Sequence, residues 1–257
     1  MTAADLTHAA ITFAAGLIAG MINAVAAGGT LVTFPTLRLL GLNSITANAT
    51  STVAIWPFVL GGIFGYRREL QTLNQRFLLF AIPSVAGGLL GALLLRLTPS
   101  SVFDRLVPWL IVFATILFMS QEPIQRLMKS SHPEAHQSPA WFSGALVFQF
   151  IVGIYGGYFG AGIGILMLAA LAILGMTDIH QMNGLKNILG GVINGVAALY
   201  FILHNMVYWP DVGVMAVGAI SGGYFGAGVA RKIGRAAVRK IVVVVGFAMA
   251  LSLLVKK

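Results

Sequence analysis

The sequence has few charged residues and no cysteine. Of its 257 residues 9% are charged and 58% are hydrophobic, and the mean hydropathy is +0.90. A soluble domain carries about 25% charged residues, so these charges cannot cover a water-exposed surface. The composition therefore excludes a cytoplasmic enzyme, a nucleic-acid-binding domain and a disordered chain, and most of the surface must face lipid. Without cysteine, disulfides, iron–sulfur clusters and cysteine-based zinc sites are excluded as well.

Acidic residues are scarcer than basic ones. The chain has 7 Asp and Glu against 16 Lys and Arg, which gives a net charge of +9. In a membrane protein this excess is typical of the cytoplasmic ends of spans, and nucleic acid is not needed to explain it. Six of the seven acids fall in loops, at span ends or near the N-terminus (Glu69, Glu122, Glu134, Asp104, Asp211, Asp5), and the seventh, Asp178, directly precedes a span. No membrane-buried acid is therefore expected, and a carboxylate proton relay or Na⁺ site is not indicated.

Motifs for catalysis and cofactors are missing too. The sequence contains no HExxH, no phosphate-binding loop and no Ser-His-Asp arrangement. His132 and His136 have i, i+4 spacing, but they lie in a Pro-containing polar stretch and are interpreted as solvated. We predict a protein that is not an enzyme, with no cofactor and no metal site. Since no basic residue precedes Arg38, the first apolar stretch is predicted to be a retained span and not a secretory signal.

Long apolar stretches dominate what is present. They fall at about 8–26, 46–66, 77–97, 104–120, 141–156, 179–203, 210–230 and 236–255. Each approaches or exceeds the roughly 20 residues that cross the hydrocarbon core as a helix. Two shorter pieces, at about 30–41 and 163–174, follow glycine clusters and are too short to span alone. The fold class is therefore predicted to be an all-α polytopic membrane protein.

The chain repeats itself around a polar stretch at its middle. At an offset of 134, and then of 135, positions match between the two halves: Ala27–Ala161, Gly28–Gly162, Leu37–Leu171, Asn48–Asn183, Gly87–Gly222, Gly91–Gly226 and Arg96–Arg231. Paired basic positions and a nearly constant offset make chance matches a poor explanation. We predict a first membrane repeat in 1–120, a polar cytoplasmic linker in 121–140 and a second repeat in 141–257.

The distribution of positive charge predicts how the halves are oriented. With eight simple spans, seven Lys and Arg lie on one side and eight on the other, which gives no bias. If the first helix of each half is broken and makes no net crossing, or two, the split becomes ten against five. By the positive-inside rule this second topology is favoured, with both termini outside. Each half then has a broken or re-entrant first helix and three spanning helices, and the two repeats have inverted topology.

Inverted repeats with interrupted helices are typical of secondary transporters, whose substrate site lies near the midplane. The breaks are predicted at 23–30 and 156–164, where Gly28, Gly29, Thr30, Gly160 and Gly162 can present backbone amides at half-helix N-termini. Such termini suit an anion. The alternative is that glycines only permit close helix packing. We prefer packing for Gly87, Gly88, Gly91, Gly222, Gly223 and Gly226, and a functional break for the two clusters.

Polar residues open the element after each break. They are Asn48, Thr50 and Ser51 in the first half and Asn183, Lys186 and Asn187 in the second. Ser44 and Asp178 are predicted N-caps of these helices. Lys186 then lies about 12 Å along its helix, near the midplane, and an intramembrane Lys is a functional candidate by default. The alternatives are a snorkelling side chain or a structural pair with Asp178.

Two segments carry a resemblance to a known family. They are AAGGTLVTFPTLRLLGL…NATSTVAIWP…GYRREL and GIYGGYFGAGIGILMLA…LGMTDIHQMNGLKNILGGVINGVAALYF. Together they resemble the TauE/SafE family of sulfite exporters and sulfonate permeases, over nearly the whole chain. The resemblance implies a multi-pass protein of the prokaryotic inner membrane that transports a small sulfur-containing anion. It also implies a binding role for Gly28, Gly29, Asn48, Thr50, Ser51, Gly160, Gly162, Asn183, Lys186 and Asn187.

The functional hypothesis is alternating access at a midplane anion site, as the two halves rock. Lys186 would neutralise the anion, and the asparagines, hydroxyls and break amides would donate hydrogen bonds. An anion channel, a transporter of a different small organic anion, or a membrane scaffold subunit are the alternatives. The expected partners are the lipid bilayer and a small anionic substrate, with a homodimer also considered.

Overall fold

The structure is a computed structural model that describes residues 2–25, 28–65, 71, 75–120, 139–173, 176, 178–233 and 235–255. Within these residues the chain forms α-helices and one 3-10 turn, and no strand. The linker histidines His132 and His136 lie outside the described residues. The helices are α1 Ala3–Val25, α2 Thr30–Leu39, α3 Ser44–Gly65, α4 Ala81–Leu97 (after the 3-10 turn Gln75–Phe80), α5 Ser100–Met119, α6 Pro139–Tyr158, α7 Ile163–Ile173, α8 Ile179–Leu203, α9 Trp209–Ile233 and α10 Arg235–Val255.

This helix order matches the predicted apolar stretches, eight long and two short, and confirms the all-helical class. Among the described residues, four helical segments are long and apolar enough to cross a membrane by length and composition. They are Ala3–Asn23, Phe77–Leu97, Ser100–Met119 and Gln181–Leu203. The outward-facing side chains of these helices include many large apolar ones, such as Trp109 at 64% exposure. Their apolar surfaces fit lipid, as expected for a polytopic membrane protein.

The two short helices α2 and α7 have 10 and 11 residues. At 1.5 Å per residue they reach about 15 to 17 Å, half of the roughly 30 Å hydrocarbon core. Glycine sets their limits: α2 ends before Gly41, which has φ +100°, and α7 begins after Gly160 and Gly162. A left-handed residue ends a helix, and glycine adopts that conformation without steric cost.

The N-caps of the two polar helices were predicted half correctly. Asp178 caps α8, since its Oδ1 accepts the amide N–H of Gln181 at 3.3 Å. The predicted cap of α3, Ser44, is wrong. Asn43 caps that helix by accepting the N–H of Thr46 at 2.9 Å, and the Ser44 hydroxyl instead donates to Asp104 of α5. Asn is as good a cap as Ser, and here Ser44 is already the first helical residue.

Helices α1 and α9 pack with their backbones in direct contact and run parallel. A Cβ added to Gly16 would lie 2.2 Å from the carbonyl oxygen of Met215, and one added to Gly20 would lie 2.0 Å from that of Ala219. From the other side, a Cβ at Gly222 would lie 1.9 Å from the carbonyl oxygen of Leu17. This close approach requires glycine, and the interface is the most extensive between any two described helices.

Helices α4 and α6 form an equivalent parallel pair. A Cβ on Gly87 would lie 2.4 Å from the carbonyl oxygen of Phe150, and one on Gly91 would lie 2.2 Å from that of Ile154. The prediction that these isolated glycines pack helices is thus confirmed for Gly87, Gly88, Gly91, Gly222 and Gly223. Gly226 has no described side-chain environment.

Exchanging the two halves maps the main helix contacts onto one another. The α1–α9 pair becomes the α6–α4 pair, and the α3–α9 contact becomes the α8–α4 contact. The α3–α8 and α5–α10 contacts map onto themselves. The α3–α8 contact includes a hydrogen bond from the Trp56 indole N–H to the carbonyl oxygen of Gly191 at 2.9 Å. These two residues are themselves 135 apart, which is the offset of the sequence repeat.

One end of the bundle, here called the N-terminal face, carries the starts of α1, α3, α5 and α9 and the ends of α4 and α8. Its contacts include a hydrogen bond between Arg96 of α4 and the Tyr200 hydroxyl of α8 at 3.3 Å. Asp104 at the start of α5 accepts a hydrogen bond from Ser44 at the start of α3. The opposite end, here called the linker face, receives the end of α5 and the start of α6.

The N-terminal face also contains a buried acid that the sequence did not predict. Asp211, in the first turn of α9, is 2% exposed. Its Oδ1 lies 2.7 Å from Nε2 of His8 and accepts the Thr12 hydroxyl at 3.4 Å. Asp211 is at a span end, as predicted, but α1 covers it.

Candidate functional site

The two helix breaks come together against α5. A Cβ added to Gly28 would lie 2.8 Å from the Phe118 ring, and one added to Gly162 would lie 3.6 Å from the carbonyl oxygen of Ala114. Between them, the rings of Phe34 on α2 and Phe159 in the second break meet edge-to-face with centroids 5.6 Å apart. Sequences 134 residues apart thus share one region of the bundle.

Asn23 closes the first break. Its side-chain oxygen accepts the amide N–H of Gly28 at 3.1 Å and that of Gly29 at 2.8 Å. Gly29 is tightly enclosed, because a Cβ there would lie 2.6 Å from the Asn23 side-chain nitrogen. Thr30, which is buried, follows as the first residue of α2. The two amides predicted to meet an anion thus donate here to a neutral carboxamide oxygen.

The second break depends on left-handed glycines. Gly160 has φ +79° and Gly162 has φ +80°, and the Tyr155 hydroxyl donates to the carbonyl oxygen of Ala161 between them at 2.7 Å. The predicted break began too early, because α6 continues through Gly156 and Gly157 to Tyr158. Gly157 is a packing residue, with its Cβ position 2.1 Å from the carbonyl oxygen of Gly88.

The polar residues of α3 contact both breaks and one loop. The Asn48 amide nitrogen donates to the carbonyl oxygen of Tyr158, just before the second break, at 3.0 Å. The Ser51 hydroxyl pairs with that of Thr33 on α2 at 2.5 Å. Thr50 is directed elsewhere: its hydroxyl oxygen accepts the N–H of Tyr208 in the α8–α9 connection at 2.9 Å. The structure therefore brings Asn48 and Ser51 to the breaks and assigns Thr50 a structural contact.

The polar residues of α8 share one side of that helix. At 100° per residue, Asn183, Asn187 and Asn194 fall within about 40° of one another, with Lys186 on the flank. Asn194 lies near the second break, since its side-chain oxygen is 3.4 Å from the Cβ position of Gly160. Asn194 was not among the predicted site residues, although its spacing from Asn187 already indicated a shared face.

Lys186 is held by a neutral partner. It is half-buried, and its Nζ donates to the side-chain oxygen of Asn183 at 3.1 Å. Among the described residues, the ion pairs involve only His8–Asp211 and Arg38–Asp104. The suggested structural pair between Lys186 and Asp178 is not formed, since Asp178 lies two turns away at the N-cap. Within the described part of the chain, this leaves a membrane-embedded ammonium group without a carboxylate partner.

The hydrogen-bond donors described so far lie in two places. The breaks and α3 carry backbone amide, side-chain amide and hydroxyl donors, whereas the ammonium group of Lys186 lies on α8, where it donates to Asn183. No group of three or more His, Asp, Glu or Cys that could hold a metal ion occurs among the described residues. A positive charge such as that of Lys186 is costly within an apolar helix that can span a membrane, and a bound anion would neutralise it.

Comparison with known proteins relates the sequence of this chain to membrane transporters. Residues 12–253 match the family described as Sulfite exporter TauE/SafE. A probable membrane transporter protein of Haemophilus influenzae is 27% identical over 242 residues, which cover 93% of this chain and 92% of the relative. The probable membrane transporter protein YfcA of Escherichia coli K12 is 28% identical over 246 residues, covering 95% and 88%. The probable membrane transporter protein YunE of Bacillus subtilis is 26% identical over 242 residues, covering 85% and 87%.

Proposed function

The chain belongs to the TauE/SafE family of sulfite exporters, and from that membership we propose that it carries a small sulfur-containing anion, such as sulfite or an organosulfonate, across the prokaryotic inner membrane. The single observation that carries the anion assignment is Lys186. Its ammonium group donates to the neutral Asn183 and forms no ion pair with a described carboxylate. An anion at this position would supply the missing negative charge.

The substrate site would lie where the breaks meet. Asn48 and Ser51 contact the break region from α3. In this proposal Asn183, Lys186 and Asn187 would supply the α8 side of the site. The amides of Gly28 and Gly29 now donate to Asn23. An anionic oxygen could replace the Asn23 oxygen in this position, because backbone N–H groups at a helix N-terminus favour negative charge.

Helix directions support inverted repeats. Contacts such as Gly16–Met215 and Gly20–Ala219 make α1 parallel to α9. Helix α8 ends where α9 begins, so it runs the opposite way, and α4 runs with α8 because Gly88 contacts Ile193 and Arg96 contacts Tyr200. Helix α6 is parallel to α4 and is therefore antiparallel to its repeat counterpart, α1. The short helices α2 and α7 would return from midplane breaks to opposite faces, as re-entrant segments.

The same directions give the orientation in the membrane. At the linker face α3, α5 and α9 end and α4, α6 and α10 begin. The sequence at and between these helix ends, in 66–80, 120–140 and 231–240, holds ten Lys and Arg. The N-terminal face holds five. The positive-inside rule then puts the linker face in the cytoplasm and both termini outside.

The packing favours a particular division into moving bodies. The closest interfaces, α1–α9 and α4–α6, each join a helix of one half to a helix of the other. Rocking of intact halves would separate these backbone contacts. We therefore propose that α1 moves with α9 and α4 with α6. Alternating access would then arise by sliding of the two units against α3 and α8, at the α3–α9 and α4–α8 contacts.

The test is flux of sulfite and of sulfonates into proteoliposomes, measured for Lys186→Met and Lys186→Arg. Loss of a hydrogen bond to a charged group costs about 1.5–3 kcal/mol, so Lys186→Met should lower kcat/KM about 10- to 150-fold. Lys186→Arg, which keeps the charge, should retain more activity. Lys240→Met is the matched control, because Lys240 is exposed. Wild-type flux in Lys186→Met would refute the site.

Counterflow separates a transporter from an anion channel. Proteoliposomes loaded with unlabelled anion should accumulate labelled anion transiently if a carrier exchanges one for the other. A channel would dissipate the gradient without such exchange. Saturable exchange supports the proposed carrier, whereas unsaturable conduction favours the channel.

A further inference from the structure

We infer that Asn48 determines specificity, by selecting anions that carry a hydrogen-bond donor of their own. This inference rests on the proposed function and narrows its substrate class. The favoured anions would bear a hydroxyl, ammonium or acidic proton next to the anionic group. Fully deprotonated anions without such a donor would be transported less well.

The orientation of the Asn48 carboxamide is fixed by chemistry. A backbone carbonyl accepts but does not donate, so the carboxamide end that contacts the carbonyl oxygen of Tyr158 must be the NH₂ group. The distance is 3.0 Å, which is a normal hydrogen bond. The carboxamide oxygen therefore points away from Tyr158.

That oxygen has no donor among the described residues, although it is buried. Asn48 as a whole is 1% exposed, so bulk water does not hydrate the oxygen. Leaving a buried acceptor without a donor costs about 1–3 kcal/mol. Native structures rarely keep such a group, and a ligand that supplies the donor is one physical explanation.

The position of Asn48 connects this acceptor to the proposed site. Its hydrogen-bond partner Tyr158 lies two residues before Gly160, where α6 gives way to the left-handed break. Its repeat counterpart is Asn183, which accepts from Lys186. The two asparagines thus differ in what they offer. Asn183 uses its oxygen to accept from a cation, whereas the oxygen of Asn48 is buried and has no donor among the described residues.

An electrostatic argument then sets the ligand chemistry. A bare anionic oxygen next to the Asn48 oxygen would meet a partial negative charge and be repelled. A hydroxyl, ammonium or acidic proton would satisfy the acceptor, while the anionic end faces Lys186 and the backbone amides. A site that binds a substrate hydroxyl also discriminates strongly against an analogue that lacks it, because its own polar group is then left unpaired.

The experiment compares 2-hydroxyethanesulfonate with propane-1-sulfonate, which has nearly the same shape but a methyl in place of the hydroxyl. Flux in proteoliposomes and thermal stabilisation in detergent are measured for both anions with the full-length protein. The wild type should prefer the hydroxylated anion at least about 10-fold in kcat/KM. Asn48→Leu, which has similar volume, should reduce that ratio to within about twofold.

The controls distinguish this inference from the proposed function. Asn183→Leu should lower the flux of both anions and leave the preference for the hydroxylated anion intact, because Asn183 holds the ammonium group of Lys186. Equal flux of both anions in the wild type, as expected if water occupies the Asn48 oxygen, would refute only the specificity role. A preference that survives in Asn48→Leu would also refute it. If neither anion nor sulfite shows saturable flux or stabilisation, the proposed function itself fails. If Asn48→Leu does not fold, equal flux of the two anions in the wild type still refutes the inference.

Discussion

Replacing Gly222 by alanine should loosen the α1–α9 interface. The added methyl would lie 1.9 Å from the carbonyl oxygen of Leu17, whereas an ordinary contact begins at 3.4 Å. The helices would have to separate by about 1.5 Å at this point, because the obstacle is backbone and not a side chain that can rotate. The Cβ positions of Gly16, Gly20 and Gly218 likewise lie within 2.4 Å of a backbone carbonyl oxygen of the facing helix. The separation would therefore weaken contacts along several turns.

The expected cost follows from that geometry. Inserting a methyl into a packed interior costs about 1–3 kcal/mol, and a rigid backbone obstacle should bring the cost to about 3 kcal/mol. Gly213→Ala on the same helix is the matched control, since no atom lies within 4 Å of its Cβ position. That change should stabilise the helix by up to about 1 kcal/mol, because alanine has the higher helix propensity.

Thermal unfolding of the purified protein in detergent tests the comparison. At about 2–4 °C per kcal/mol for a chain of this size, Gly222→Ala should lower Tm by about 6–12 °C. Gly213→Ala should leave Tm unchanged or slightly higher. A Tm of Gly222→Ala within about 1 °C of the wild type would show that α1 and α9 are not joined as a rigid unit. The proposed division into moving bodies would then be refuted.

Two further substitutions probe the break and the buried acid. Gly162→Ala should lower the free energy of unfolding by about 1–2 kcal/mol, because the φ of +80° strains an alanine backbone. Steric overlap adds nothing, since no atom lies closer than 3.6 Å to the Cβ position. Gly162→Asn should cost less, as asparagine tolerates this conformation, and equal melting temperatures for the two variants would contradict that reasoning. His8→Leu should destabilise by about 1–3 kcal/mol by removing the 2.7 Å partner of Asp211. The double variant His8→Leu/Asp211→Leu should recover most of that loss in thermal melts, and a double variant no better than the single one would refute the pairing.

Local sequence signals were enough to locate the helices and the breaks. Apolar length identified each long helix, and glycine clusters identified the ends of the short helices α2 and α7. These features depend on nearest neighbours along the chain: a left-handed residue such as Gly162 and a half-membrane apolar stretch can both be recognised in a short window. The end of α6 was misplaced for the same reason, since Gly157 looks like a break residue until its partner Gly88 is known.

Contacts distant in sequence could not be predicted in this way. His8 and Asp211 are 203 residues apart, and only the α1–α9 packing shows that the acid is buried. Asn43 and Ser44 are both good caps, and the choice depends on where Asp104 of α5 lies. The contact of Thr50 with the N–H of Tyr208, 158 residues later, could not be seen in the sequence either. In each case the tertiary partner determines the role.

The two repeats place different residues, one charged and one neutral, at equivalent positions of the proposed site. At the offset of 135, Lys186 of the second half corresponds to Ser51 of the first, whose hydroxyl is already paired with Thr33. Two lysines would place two positive charges at one depth of the membrane, where each is costly and they repel each other. One lysine opposite a neutral serine leaves a single charge for a single anionic group. In the proposed site, the half that carries Lys186 would therefore set which way round the substrate binds.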